Sequence, residues 1–375
     1  MPVIFNEPLS FLERIAEYME YTSLVEQAAA CDDPVERLEL VTAFAVSATA
    51  SNWDRLGKPF NPLLGETYEL EREDLGFKIV CEQVSHHPPV SAFHAQSDVF
   101  RFYGSIHPKL KFWGKSIEIT PKGTVTLHLL KHEEVYTWQN VNCCVHNIIV
   151  GKLWIEHYGS MEIINHKTKH KSIVNFKPCG WFGKDLHIID GGVYDSSGHK
   201  LREFYGKWIE ALYSYDIGTW ENHQRALHEN GTSTVKGSED SQEKTISCNQ
   251  HVPGQRLLWV AEPKPDDSSQ YYSFTTFAMM LNEVDADLCK KLPPTDARRR
   301  PDIRKMEEGD LDGATAEKTR LEEKQRSARK ERRRTKEDWK PVWFSWRLHE
   351  ELGREDWVCS SDYWQRDWDK CPDIF

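Results

Sequence analysis

Glu82-Gln83-Val84-Ser85-His86-His87-Pro88-Pro89 is the stretch on which the reading of this chain turns. Two adjacent histidines, stopped by two prolines, can offer ring N–H donors to one anion. Each imidazole becomes a double donor when protonated, and a nearby phosphate favours that proton near neutral pH. The competing use is a metal site built from His86, His87 and His94. Successive strand residues point to opposite faces, however, and no HExxH or carboxylate spacing accompanies them. No metal and no cofactor are therefore expected.

Outward from this stretch the chain reads as mainly β with helices. Phe77–Val80, Phe100–Tyr103, Ser116–Ile119 and Thr124–Leu129 have the composition of strands. Turn signals recur at 121–123, 165–167 and 196–198, and from about Gly65 to Trp208 no helix is long enough for a parallel crossover. This predicts a large antiparallel sheet that closes into a barrel. On the N-terminal side, Ser10-Phe11-Leu12-Glu13 is a capping-box pattern that opens a short amphipathic helix, and Asp33-Pro34 opens a second. By its residues alone, the first helix packs on the barrel as a structural element. Glu229–Gln250 is polar and reads as a flexible insertion. A helix is expected over about 314–337, and Trp339–Trp368 is too irregular to assign.

With 375 residues and 39% hydrophobic content the chain can bury a sizeable core. Its 14 Trp suit a core or the wall of an apolar cavity. The net charge of −11 is uneven: residues 298–340 hold 16 Lys and Arg against 11 Asp and Glu, leaving 32 against 48 elsewhere. Nine cysteines without metal or redox spacing read as reduced thiols. With neither a spanning apolar run nor a signal-peptide pattern, the expected location is the cytosol. GxSxG, Walker A and GxGxxG motifs are absent, so a non-enzymatic role is expected. The basic run Arg329–Arg334 could meet nucleic acid, but acidic residues interleave it and the whole chain is acidic. An anionic membrane surface is the more economical partner.

Four segments carry a resemblance. They are Lys58-Pro59-Phe60-Asn61-Pro62-Leu63-Leu64-Gly65-Glu66, the EQVSHHPP run, Pro294–Asp302 and Lys318–Arg326. In this order they resemble the oxysterol-binding-protein-related family of lipid carriers, in particular its short members without a pleckstrin-homology domain. The resemblance implies one domain over 1–375, an incomplete antiparallel β-barrel enclosing a lipid tunnel. Residues 1–30 would be a lid, 31–228 helices and barrel, 229–250 the insertion, and 251–375 the end of the barrel and C-terminal helices. It implies exchange of a sterol for a phosphoinositide in one tunnel, with transient contact to membranes and membrane contact sites. It assigns Lys58, Asn61, Leu64, His86, His87, Lys318, Glu322 and Arg326 to the phosphoinositide head group, and Leu9, Phe11, Leu12, Ile15 and Met19 to the lid. Another lipid such as phosphatidylserine, or a sensor role, remains an alternative, and protein partners are unknown. The residues alone add that Lys318, Glu322 and Arg326, spaced i, i+4, i+8, share one helix face. By itself that spacing equally fits a solvated face of ion pairs.

Overall fold

The structure, a computed structural model, describes residues 2–180, 183, 186–220, 222, 254–349 and 353–375; the expected insertion at Glu229–Gln250 lies outside them. Of three N-terminal helices, the first and third form where the caps predicted them, and the second, Thr22–Ala30, has no side-chain cap. In α1 (Phe11–Ala16) the Glu13 carboxylate accepts the Ser10 N–H at 2.5 Å, and the Ser10 hydroxyl accepts from Leu12. After α2 (Thr22–Ala30), α3 (Pro34–Ser47) begins with Asp33 accepting the N–H groups of Val35 and Glu36. Ahead of these helices β1 (Asn6–Ser10) pairs in parallel with β2 (Lys58–Phe60).

A fourteen-stranded antiparallel sheet follows. Its strands are β3 (Thr67–Arg72), β4 (Phe77–His86), β5 (Pro89–Gln96), β6 (Phe100–Trp113), β7 (Ser116–Lys122), β8 (Val125–Leu129) and β9 (Glu134–Trp138). They continue with β10 (Asn142–His146), β11 (Trp154–Asn165), β12 (Lys171–Phe176), β13 (Ile188–Tyr194), β14 (Lys200–Lys207), β15 (Ala211–Asp216) and β16 (Arg256–Val260). Two strands are long enough to split between neighbours. Phe100–Gly104 of β6 pair with β8, while His107–Trp113 pair with β7. In β11, Trp154–Tyr158 pair with β10, whereas Ile164 and Asn165 pair with β9. The strands β6-β7-β10-β11-β9-β8 thus close a ring, and the outer strands β3 and β16 are not paired with each other. The expected incomplete barrel is realised as this ring of strands within a curved sheet, not as a regular barrel.

The three helices fill the concave side. Leu12, Ile15, Met19, Val25, Val41 and Phe44 pack with Ile79, Cys81, Phe93, Phe102, Leu127 and Val174 in one core. Strand β4 is covered on both faces. Ile79 and Cys81 face the helices, whereas Val80 and Val84 pack with Trp343, Phe344 and Tyr363 of the C-terminal segment. Between those valines the buried Glu82 carboxylate accepts the N–H groups of Val342, Trp343 and Phe344 at 2.8–3.1 Å. Burial pushes its pKa up to about 7 and these three donors pull it down. The C-terminal stretch that the sequence left unassigned contains an antiparallel hairpin, β17 (Phe344–His349) with β18 (Arg354–Cys359).

The stripe expected to act as a lid lies in the core. Leu9, Leu12, Ile15 and Met19 are buried, and Phe11 is half-buried against the same core. Charged neighbours tie this segment to the chain behind it. Arg55, fully buried, bridges Glu7 at 2.9 Å and Glu17 at 2.6 Å, and Arg14 adds a second bond to Glu7 at 2.8 Å. As placed, the stripe packs into the interior of the sheet, as both a core helix and a closed cover would.

Candidate functional site

After the short helix α4 (Pro301–Glu307), the long helix α5 (Leu311–Thr335) forms one side of a cleft of about 290 Å³. The other side comes from the loop after β2 and the end of β4. Phe60 contributes from the end of β2, Asn61 and Leu63 from the loop after it, and His86 and His87 from the end of β4 and the turn to β5. Arg300 stands just ahead of α4, while α5 presents Lys318, Leu321, Glu322, Gln325, Arg326 and Arg329. These α5 positions are successive members of one i, i+3, i+4 stripe, of which the sequence reading had named three.

Six of the eight expected head-group residues therefore line one cavity: Asn61, His86, His87, Lys318, Glu322 and Arg326. Lys58 stands beside it, close enough for the charges of Lys318 and Arg300 to act on its ammonium. Leu64 takes part through its backbone, whose N–H donates to Gln325 Oε1 at 2.8 Å. The expected ion pairs are present: Lys318 Nζ to Glu322 Oε1 at 2.8 Å, and Arg326 to the other Glu322 oxygen at 4.0 Å. Arg300 is the structural member of the set. Buried, it joins Glu66 at 2.8 Å, Asp302 at 2.7 Å and the Asn61 carbonyl at 3.0 Å, fixing the loop against α4. Gly65, with φ +83°, ends that loop. A Cβ there would meet the Trp339 ring at 2.8 Å, so this close approach requires glycine.

Electrostatically the cleft favours an anion. Lys58 has its pKa lowered by desolvation first and then by Lys318 and Arg300, against a smaller opposing pull from Glu7. Around it stand Lys318, Arg326 and Arg329 with the single carboxylate of Glu322. His86 is also pulled down, by burial first and then by His87, whose ring sits edge-on with centroids 4.7 Å apart.

The hydrogen bonds fix the form of His86. Because the Leu64 N–H occupies Gln325 Oε1, the Gln325 amide must present its NH₂ to His86 Nε2, 2.9 Å away. Nε2 is then the acceptor of a neutral ring, and its proton sits on Nδ1, facing the Pro62 carbonyl in a looser contact. An anion that drew a hydrogen bond from Nε2 would require a second proton on the ring and a turn of the Gln325 amide. Gln325, Arg329, Phe60 and Leu321 were missed in the sequence. Extending the Lys318–Glu322–Arg326 stripe by i+3 steps would have found Leu321, Gln325 and Arg329; nothing local marks Phe60.

The family model described as oxysterol-binding protein matches residues 1–368. The chain belongs to the oxysterol-binding protein family. It is 57% identical over 385 residues to oxysterol-binding protein-related protein 1 of Rattus norvegicus, covering all of this chain and 40% of that protein. The chain thus spans well under half the length of that relative. With oxysterol-binding protein-related protein 2 of Mus musculus it shares 51% identity over 392 residues, covering all of this chain and 81% of the relative. Among family structures, the Osh1 ORD domain in complex with cholesterol superposes with a TM-score of 0.85 at 34% identity, covering all of this chain and 86% of that one. The Osh3 ORD in complex with PI(4)P, from Saccharomyces cerevisiae, gives 0.78 at 30% identity, covering all of this chain and 91% of that one. No described helix is long and apolar enough to cross a membrane.

Proposed function

We propose that this protein is a lipid carrier that takes a phosphoinositide by its head group in the α5 cleft and exchanges it between membranes for a sterol. The observation that carries this reading is the convergence of Asn61, His86, His87, Lys318 and Arg326, drawn from three distant segments, on one cavity. Around a monophosphorylated inositol ring, His86, His87 and Arg326 would hold the ring phosphate. Lys58, Lys318, Asn61 and Glu322 would hold the ring hydroxyls and the linking phosphate, with the Leu64 backbone at the rim. Charge-assisted hydrogen bonds contribute about 1.5–3 kcal/mol each, so a few together can draw a head group from a membrane surface. The relatives support both ligand classes, since family ORD structures are described with cholesterol and with PI(4)P.

The apolar part of either lipid belongs inside the sheet. A small cavity of about 10 Å³ lies there between Tyr18, Phe44, Ala45 and Ala48 and the wall residues Phe102, Val125 and Trp138. A sterol would have to widen it by moving side chains of α3. The carrier reading is tested by transfer between two liposome populations, with labelled sterol in one and phosphoinositide in the other. Mutual acceleration is expected for the wild type and its loss for His86→Ala/His87→Ala. Phosphoinositide transfer that ignores sterol would overturn the exchange and point to another cargo such as phosphatidylserine.

A further inference from the structure

Beyond Ile106, strand β6 leaves the core. Residues 100–106 are nearly all buried, whereas 109–113 are exposed on both faces. The free length forms a hairpin with β7, and Phe112 and Trp113 at its tip are 70% and 64% exposed. The loop between β10 and β11 runs alongside, since His146 pairs with Ser116 and the Ile148 N–H donates to the Lys115 carbonyl at 3.0 Å. That loop adds Ile149 and Val150, at 70% and 72% exposure. Two adjoining turns thus hold out four large apolar side chains together.

The charge around them has one sign. Residues 107–122 and 146–153 carry five lysines and one carboxylate, Glu118, which accepts the Trp113 indole N–H at 2.8 Å and lies across the strands from Lys111. Protein interfaces are depleted in lysine. A narrow apolar edge collared by lysines matches the interface of an anionic bilayer, with rings among the acyl chains and ammonium groups at the lipid phosphates.

Register adds a direction. Ser91 pairs with Ile106, and β5 begins at the His86–His87 turn two residues earlier. The free length of β6 therefore points to the same end of the strands as that turn. From Ile106 to Trp113 it extends by seven residues, about 23 Å, which carries it past the turn. Leu110 and Phe112 also continue the alternation of Phe100 and Phe102, which face the core. We propose that this end of the sheet is a docking edge for anionic bilayers. The β6–β7 tip and the β10–β11 loop enter the interface at the end of the molecule where the head-group turn lies.

The edge works without any ligand in the cleft, so it is tested on vesicles that hold neither sterol nor phosphoinositide. Wild-type protein is expected to float with phosphatidylcholine vesicles containing phosphatidylserine, less with pure phosphatidylcholine, and less in high salt. Phe112→Ser/Trp113→Ser should weaken partition roughly thirty-fold. Lys109→Gln/Lys111→Gln/Lys115→Gln/Lys152→Gln should remove most of the preference for anionic vesicles, at about five-fold per lysine. Both variants should melt as wild type and bind soluble inositol phosphate unchanged. Either variant floating like wild type, or wild type ignoring phosphoinositide-free anionic vesicles, would overturn the docking edge. Loss of inositol phosphate binding in the wild type would instead strike the head-group site alone.

Discussion

Head-group binding should draw a proton from solution, and His86 should be its main receiver. In the structure its ring is neutral, with Nε2 accepting from Gln325 and its pKa held below the ordinary 6.5 by burial. A phosphate monoester at hydrogen-bond distance reverses the preference by stabilising the charged ring. The pKa is then higher in the complex than in the free protein. The extra affinity is fully present below the free-state pKa and is lost as pH rises through the bound-state value. Between the two it falls about ten-fold per pH unit, or about 1.4 kcal/mol. The phosphate's own second ionisation, near pH 6, works in the opposite direction. The quantity to read is therefore the difference between wild type and His86→Gln, whose amide can donate without titrating. Calorimetry with a soluble short-chain phosphoinositide, between about pH 6 and pH 8 in buffers of differing ionisation enthalpy, gives affinity and proton count together. Wild type should take up a fraction of a proton that the variant does not, and should lose its advantage as pH rises. Parallel affinity curves with equal proton counts would refute the assignment of His86.

Replacing Arg55 with Met leaves Glu7 and Glu17 in the core with Arg14 as their remaining cation and should cost about 3 kcal/mol, read by urea unfolding. Because that cluster ties down the N-terminal segment, amides of residues 11–19 should show the same exchange protection with and without phosphoinositide; deprotection on binding would restore a moving lid. Gly65→Ala introduces a Cβ against the Trp339 ring at positive φ and should lower stability by about 1–2 kcal/mol, seen as a lower melting temperature. Lys318→Ala should weaken phosphoinositide capture at low salt, and the penalty should shrink in 0.5 M salt if the residue acts as a partly exposed charge.

What the sequence conveyed and what it withheld divide along the range of the interactions. The caps at Ser10 and Asp33 and the face shared by Lys318, Glu322 and Arg326 are local, set within four residues, and were legible. The buried partners of Arg55 lie 38 and 48 residues away in the chain, so no window of sequence contains them. That distance bears directly on the lid. An apolar stripe at Leu9, Leu12, Ile15 and Met19 looks the same whether it lines a core or shuts an opening, whereas the ion cluster that ties it down is visible only in the fold. The Trp-rich C-terminus was opaque for a related reason. Its indoles pack on the outer face of β4, so its burial follows another strand and not its own alternation.

The octapeptide that opened the reading combines two functions through the period of two along a strand. Glu82 and Val84 face outward and hold the C-terminal segment through three N–H bonds and a packed valine, while Cys81 faces the helices. A strand gripped on both faces has little freedom at its end, and its end is the His86–His87 turn. The turn is held again from across the cleft, because Gln325 bonds both His86 and the Leu64 backbone. Positioning before binding lowers the ordering cost that the head group would otherwise have to offset. It also explains how residues from three remote segments are held together around one cleft. The geometry rests not on the histidines alone but on the carboxylate four residues before His86, whose loss would free the turn without touching a ligand contact.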